Sequence, residues 1–320
     1  MMLWIWRRWN EIWDFNCRDL KLTILGYHSA TPRANANPSS QILEIRNHLF
    51  LIDCGEGTQV QLRKFKISFS KIKHIFISHL HGDHVFGLIG LISTFRLLGR
   101  TTDLHIHGPK GIRELIEVQL KLSQSKIDYQ LIFNELTGDK SQVVFEDNHV
   151  IVTSIPLNHR IYTNGFLFSE KPSERRLNAP AAIEAQIDKA YFSKLKQGFD
   201  VINEVGQLVA NKEVTFEPPK TKSYAYCSDT AYHPAIVPLI HGVDCLYHES
   251  TFLNEDEELA CKTLHSTARQ AAEIAKLANV SQLIIGHFSS RYDEEDHFLQ
   301  EAKEVFVKTF LAEKGKEFVW

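Results

Sequence analysis

The sequence predicts an α/β protein, α+β in the looser sense, in which two β-sheets pack together with helices outside them. Three observations carry this. Strand-like runs fall into two groups, each followed by helical stretches, which is the pattern of layered sheets covered by helices. Apolar strands repeatedly stop at a histidine or an aspartate, so the polar chemistry gathers at strand ends. The chain has 320 residues, 43% apolar and 23% charged, a composition suited to one large globular domain.

Element by element, "LKLTIL" reads as a strand running into the turn-rich "GYHSATP", and "SQILEIRNHLFLIDCGEG" reads as a hairpin turning at Arg46-Asn47-His48. "TQVQLRKF" is a short helix, "KIKHIFISH" a buried strand and "VFGLIGLISTFRLLG" an apolar helix. "DLHIHGP" is a strand followed by the helix "KGIRELIEVQLKLSQ". "YQLIFNEL", "QVVFED" and "HVIVTSIPLNH" open the second group of strands. Residues from about 169 to 222 break the rhythm: they are polar and proline-interrupted, with a helical piece near "APAAIEAQIDKAYFSKLKQG", and read as an insertion arm projecting from the fold. "SYAYCSDT", "VDCLYHEST" and "SQLIIGHF" are strands, "STARQAAEIAKLA" is a helix capped by Ser266, and a last helix is expected through "EEDHFLQEAKEVFVKTFLAEKG".

Several classes fall away. No apolar run reaches the ~18 residues of a membrane span. The N-terminal "MMLWIWRRWNEIW" places Ile5, Trp9, Ile12 and Trp13 on one helical face. It reads as an extension, residues 1–19, helical or disordered, ahead of one large domain at 20–320. The five cysteines, Cys17, Cys54, Cys227, Cys245 and Cys261, contain no C-x-x-C pair and are odd in number. That argues against a disulfide scaffold and for a reducing, cytoplasmic setting. The net charge of −3 advertises no nucleic acid, so a polyanionic partner needs a local basic patch or a metal.

The chemistry concentrates in "ISHLHGDHVFGL", where His79, His81, Asp83 and His84 crowd one turn. Side chains this close repel when charged and are hard to satisfy when buried. A divalent cation resolves both problems, because neutral imidazole and carboxylate are good ligands for zinc and similar ions. His79 and His81 can face one ion with His159 of "SIPLNHR"; Asp83 and His84 can face a second with His287 of "LIIGH". Asp229, after "YAYCS", has two oxygens and is the natural bridge. Asp53, ending "LFLI", suits an acceptor that holds a ligand imidazole in its tautomer. The plainer reading is a solvated turn with chance histidines, and Asp53 as an ordinary turn residue before Cys54-Gly55.

These residues carry a family resemblance. "SHLHGDH" is similar to the signature of the metallo-β-lactamase superfamily, which implies a four-layer αββα sandwich with its metals at one edge. Within that superfamily "LFLIDCGEGTQVQL", "HIFISHLHGDHVFGLIGLIST", "GPKGI", "PLNHR", "SDT", "HEST", "LHSTARQAA" and "GHFSSRY" resemble the ribonuclease Z family, endonucleases that mature tRNA 3′ ends; the likeness runs from about Leu20 to Tyr292. Two departures stand out. Gly26-Tyr27-His28 replaces the family's Gly-Thr-Gly or Gly-Thr-Ser, and Lys189-Ala190 stands where the arm has Gly-Pro before "KLKQG".

The resemblance implies two Zn2+ per subunit, with Mn2+ or another divalent ion as substitute, an in-line attack by water at phosphorus, and a tRNA precursor as partner. The cut would follow the discriminator nucleotide and leave a 3′-hydroxyl and a 5′-phosphate. Asp83 would orient or deprotonate the water. His265 would protonate the departing oxygen, oriented by Glu249, with His248 as a structural neighbour. Ser289, Ser290 and Arg291 would hold a phosphate, and Lys189, Lys194 and Lys196, with Arg175 and Arg176, would grip an RNA helix. An arm that reaches away from its own site suits a homodimer, and no membrane is expected. Rival readings are a lactam or thioester hydrolase, a non-catalytic RNA-binding paralogue, and a general phosphodiesterase or 3′ exonuclease.

Overall fold

The structure, a computed structural model, describes residues 20–320. The expected face of Ile5, Trp9, Ile12 and Trp13 lies outside the described residues. Among the described residues there are two compact units: Glu170–Thr221, and a larger unit made of residues 20–169 together with Lys222–Trp320.

The larger unit is the four-layer sandwich. Its first seven-stranded sheet runs, in spatial order, Glu317–Val319, Lys21–Gly26, Ser40–Ile45, His48–Ile52, Ile72–Phe76, Leu104–Pro109, Leu131–Leu136. The second runs Thr309–Leu311, Leu283–Gly286, Cys245–Glu249, Ser223–Cys227, Asn164–Glu170, Val150–Pro156, Val143–Glu146. Strand alternation sorts the side chains into layers. Phe76, Tyr224, Tyr226 and Tyr247 point into the core between the sheets, with Phe50, Phe166 and Phe168. Their neighbours Ile75, Ala225 and Leu246 point outward, under helices. Leu88–Leu97 and Ile112–Leu122 cover the first sheet through Leu91, Ile92, Phe95 and Ile116. Ala268–Leu277 and Asp296–Val305 cover the second through Ala271, Ile274, Ala275 and Phe298. Fully burying each such leucine, isoleucine or phenylalanine side chain contributes roughly 1.5–3 kcal/mol.

Ser223–Cys227, Cys245–Glu249 and Leu283–Gly286 are mutually parallel, as are His48–Ile52 and Ile72–Phe76. Parallel strands share one carboxyl edge, which is where ligands bind in open α/β sheets. Asp53, Asp229, Glu249 and His287 stand at or just beyond those ends.

Three sequence expectations differ from the structure. The helix at 268–277 is capped by Thr267, whose side chain accepts from Gln270 N–H in a capping box; Ser266 instead donates to the Thr230 carbonyl at 2.7 Å. The last helix stops at Val305 and gives way to the strands Thr309–Leu311 and Glu317–Val319, since the β-branched and aromatic run "VFVKTF" favours extended backbone. The helical piece near 179–198 divides into Ala179–Glu184 and Phe192–Lys196, separated at Gln186, which adopts a positive φ of 53°.

Glu170–Thr221 has a small core of Ala182, Ile187, Leu195, Val201, Val209 and Val214. It holds two two-stranded ladders, Arg176–Leu177 with Thr215–Phe216 and Val201–Ile202 with Leu208–Val209. Cys54, Cys227, Cys245 and Cys261 are free thiols, and no described helix is long and apolar enough to cross a membrane.

Within the first sheet, His74 stacks on His105 and His107, and His107 stacks on Phe76. Burial, reinforced for His74 by its histidine neighbours, pushes both His74 and His107 down to about 3. Both are therefore neutral when folded but protonate near 6.5 when unfolded, so their stabilisation is complete above that pH and is lost as pH falls towards 3. Between pH 7 and 5 each is expected to cost on the order of 2 kcal/mol. Urea unfolding midpoints measured across this range should fall, and fall less in His74→Phe.

Candidate metal centre

The turn after Ile72–Phe76 carries His79 and His81, and the single-turn helix Gly82–Val85 carries Asp83 and His84. Gly87 lets the chain return against the first hairpin: its N–H donates to the Cys54 carbonyl at 2.9 Å, and a Cβ there would lie 2.0 Å from the Gly55 oxygen. Asp53, Asp229 and His287 take positive φ values of 53°, 58° and 65°. Such left-handed backbone costs non-glycine residues of order 1–3 kcal/mol, and here it ends three strands by turning a polar side chain onto the shared edge.

Seven residues form two groups. His79, His81, His159 and Asp229 make one; Asp83, His84, Asp229 and His287 make the other. In the first, His79 Nε2 lies 3.0 Å from His81 Nδ1, which lies 3.3 Å from His159 Nε2. In the second, His84 Nε2 lies 3.4 Å from His287 Nε2, and Asp83 Oδ2 is 3.3 Å from each. Asp229 turns Oδ2 to the first group, 3.5 Å from His79, and Oδ1 to the second, 3.2 Å from His84 and 3.1 Å from His287.

The donor chemistry fits divalent ions. His159 Nδ1–H donates to the Leu264 carbonyl at 2.9 Å, His84 Nδ1–H to Asp53 Oδ2 at 2.7 Å, and His287 Nδ1–H to Thr251 Oγ1 at 2.9 Å. A neutral imidazole that spends its proton this way presents a bare lone pair on Nε2. Several such lone pairs and two carboxylates then face one another in a buried space, which only cations satisfy. The separations match the roughly 3.4 Å between ligand atoms around a tetrahedral ion at ~2.1 Å.

The electrostatics agree. Burial alone would lower His84, but the carboxylates of Asp229, Asp83 and Asp53 outweigh it and raise its pKa well above the ordinary value. Burial likewise would raise Asp229, yet the histidines around it hold it well below the usual carboxylate range. A site that pulls a proton this strongly onto one histidine also attracts a divalent cation.

Beside both groups lies a third cluster of Glu249, His265 and His287. His265 Nδ1 donates to Glu249 Oε1 at 2.8 Å, and its ring centroid is 4.9 Å from that of His159 and 5.4 Å from that of His287. Glu249 also accepts from the N–H groups of Thr230 and Thr251 and from Thr251 Oγ1. Burial would lower His265, but Glu249, then Asp229 and Asp83, raise it to about 9.

The remaining expected residues lie elsewhere. His248 is fully buried and outside the three groups, and its Nδ1–H donates to the Glu249 carbonyl at 2.7 Å. Ser289 N–H donates to the Thr251 carbonyl. The Ser290 side chain is partly exposed, and Arg291 lies over Phe252 with its guanidinium 3.9 Å from Asp256. Lys189, Lys194 and Lys196 are exposed within Glu170–Thr221. Arg175 is tied within that unit to Thr215 and Glu217. Ser78, Thr251 and Tyr226 also reach the centre. Ser78 and Thr251 lie inside the "SHLHGDH" and "HEST" motifs, but hydroxyls there gave no signal of their own, and Tyr226 reads as ordinary core.

Two sequence families match parts of the chain: the Anti-Pycsar protein Apyc1 over residues 20–162 and the Beta-lactamase superfamily domain over residues 211–288. Fold and ligand set together define a metal-dependent hydrolase of the metallo-β-lactamase fold. Ribonuclease Z of Bacteroides fragilis (strain ATCC 25285) is 47% identical over 295 residues, which is 92% of this chain and 97% of that protein. Ribonuclease Z of Cytophaga hutchinsonii is 47% identical over 301 residues, 94% of this chain and 96% of that one. The crystal structure of human tRNase Z, short form, superposes with a TM-score of 0.68 at 27% identity, over 93% of this chain and 98% of that one. The chain belongs to the ribonuclease Z family and is a metal-dependent endoribonuclease.

The metal-free protein should show His265 titrating near 9 by NMR. Glu249→Gln removes the main charge that raises it and should bring it down towards 6.5. Adding divalent ions, which offset Asp229 and Asp83, should also lower it.

Proposed function

We propose that the protein removes the 3′ trailer from tRNA precursors, cutting after the discriminator nucleotide to leave a 3′-hydroxyl on the tRNA and a 5′-phosphate on the trailer. The likeness to human tRNase Z, over 98% of that chain, supports tRNA as the substrate. The observation that carries the reading is His265, hydrogen-bonded to the buried Glu249 and standing beside two ligand groups that share Asp229. Zn2+ is the ion we assign to both groups, given their imidazole-rich donors. Bound there, two such ions supply a nucleophilic water and neutralise charge on the phosphate.

The chain's own residues do the rest. Asp83 belongs to the second group and orients the attacking water. His265 gives its proton to the departing 3′-oxygen, and Glu249 keeps the imidazole protonated and aimed. A loss of about 10²–10⁴ in rate is ordinary for a missing general acid. Asp53 accepts from His84 and fixes its tautomer.

Two cavities border the ligand set, one at Asp83 and one at His159. One of about 610 Å³ includes His28, Arg33, Asn37, Asp83 and Phe86, and one of about 550 Å³ includes Leu157, His159, Arg160 and Tyr162. Space at both Asp83 and His159 suits a substrate chain that continues past the cut, which favours an endonuclease over an exonuclease. Ser289, Ser290 and Arg291 contact a backbone phosphate. Lys189, Lys194 and Lys196 bind RNA from Glu170–Thr221, the insertion arm, and the active form is a cytoplasmic homodimer.

Incubating a 3′-extended tRNA precursor with the protein and zinc or manganese tests this. One cut at the discriminator is expected; a ladder of single-nucleotide steps would indicate a 3′ exonuclease, and hydrolysis of nitrocefin or an acyl-glutathione thioester instead would indicate a small-molecule enzyme. Asp229→Asn should abolish cleavage and reduce bound metal. His265→Ala should slow cleavage about 10²–10⁴-fold while retaining metal. The rate should fall as pH rises through the His265 pKa, and this basic limb should shift to lower pH in Glu249→Gln.

A further inference from the structure

We propose that Ser78 is a positioning residue that, through the single buried carboxylate of Asp53, fixes the tautomer of one imidazole in each ligand group, with Tyr226 holding that carboxylate in place. This rests on the reading that both groups bind divalent ions.

The hydrogen bonds admit one direction of donation. Asp53 is fully buried and, as a carboxylate, only accepts. Ser78 N–H donates to its Oδ1 at 2.7 Å. Its Oδ2 accepts from Ser78 Oγ at 2.9 Å, from His84 Nδ1 at 2.7 Å and from Tyr226 Oη at 2.6 Å. A serine hydroxyl has one proton, and here the carboxylate takes it. The Ser78 oxygen can then only accept, and His79 Nδ1 lies 3.0 Å away. His79 must carry its proton on Nδ1, which leaves Nε2 bare, 3.0 Å from His81 Nδ1 and 3.5 Å from Asp229 Oδ2. His84 Nδ1 also lies 3.4 Å from the Ser78 oxygen, but its shorter bond to Asp53 leaves its own Nε2 bare towards the second group.

The two groups are thus joined twice. Asp229 bridges them in front, between the ligand atoms. Asp53 joins them behind, directly to His84 and by way of the Ser78 hydroxyl to His79. Ser78, His79, His84 and Tyr226 are all fully buried, so water does not substitute for a missing partner. Tyr226 stacks on Tyr247 at 5.1 Å between ring centroids, which anchors its hydroxyl from the inter-sheet core.

The test compares Ser78→Thr with Ser78→Val, an isosteric pair that differs in the hydroxyl. Zinc affinity is measured on the purified full chain by competition with a chromophoric chelator, and imidazole tautomers by long-range 1H–15N correlation. The wild type and Ser78→Thr should bind two ions and give a His79 signal with its proton on Nδ1. Ser78→Val should lose 10–100-fold in affinity for one ion, the usual effect of removing such a partner, with a changed His79 signal and His84 unmoved. Tyr226→Phe should weaken both ions by a smaller factor. If the branched variants do not fold, Ser78→Ala, which only removes Oγ, takes their place with the same expectation. Equal affinity and an unchanged His79 signal without the hydroxyl overturn the proposal. A wild-type protein that binds no zinc would instead overturn the metal reading beneath it.

Discussion

Everything in this protein depends on one electrostatic constraint: buried imidazole lone pairs and two carboxylates face one another with nothing between them that the chain itself supplies. Three of the five imidazoles have already committed their other nitrogen to an acceptor, Leu264 for His159, Asp53 for His84 and Thr251 for His287. Unpaired buried polar groups cost kilocalories each, so the arrangement is sustainable only because cations complete it. The sandwich exists to hold that arrangement at the carboxyl edge of parallel strands, where several chain reversals bring distant residues together.

The acid cluster follows from the same constraint on the other side of His287. Glu249 is fully buried and accepts from His265, two backbone N–H groups and Thr251. A carboxylate so well satisfied stays ionised, and an ionised Glu249 keeps a proton on His265. The hydroxyl of Thr251 accepts from His287 and donates to Glu249, so the proton-holding cluster and the second ligand group share a hydrogen-bond network. Geometry, not flexibility, then decides which groups in this centre carry protons and which present lone pairs.

Much of this was legible in the sequence. The strands stop at Asp53, His79, Asp229 and His287 because an apolar run must end where its polar terminus reaches the edge, and that punctuation is visible in a linear string. The two sheets and their covering helices followed from period-two and helical patterns. What escaped was set by tertiary pairing. The run after Val305 is extended because Leu283–Gly286 and Lys21–Gly26 offer it partners, which no local window contains. Ser266 and Thr267 are equally good caps by type, and only the Thr230 carbonyl drew Ser266 away. Ser78 and Tyr226 carry no titratable signal near neutrality, so their part in the centre emerged only with the hydrogen bonds. The basic residues of Glu170–Thr221 were visible as charge, but Arg175 is occupied by Thr215 and Glu217.

The way the final residues complete both sheets bears on how the molecule is born. Thr309–Leu311 closes an edge of one sheet and Glu317–Val319 an edge of the other. Lys21–Gly26 therefore stays without one of its two neighbours until about 290 further residues have been made, so closing that edge is a long-range event that local folding cannot complete.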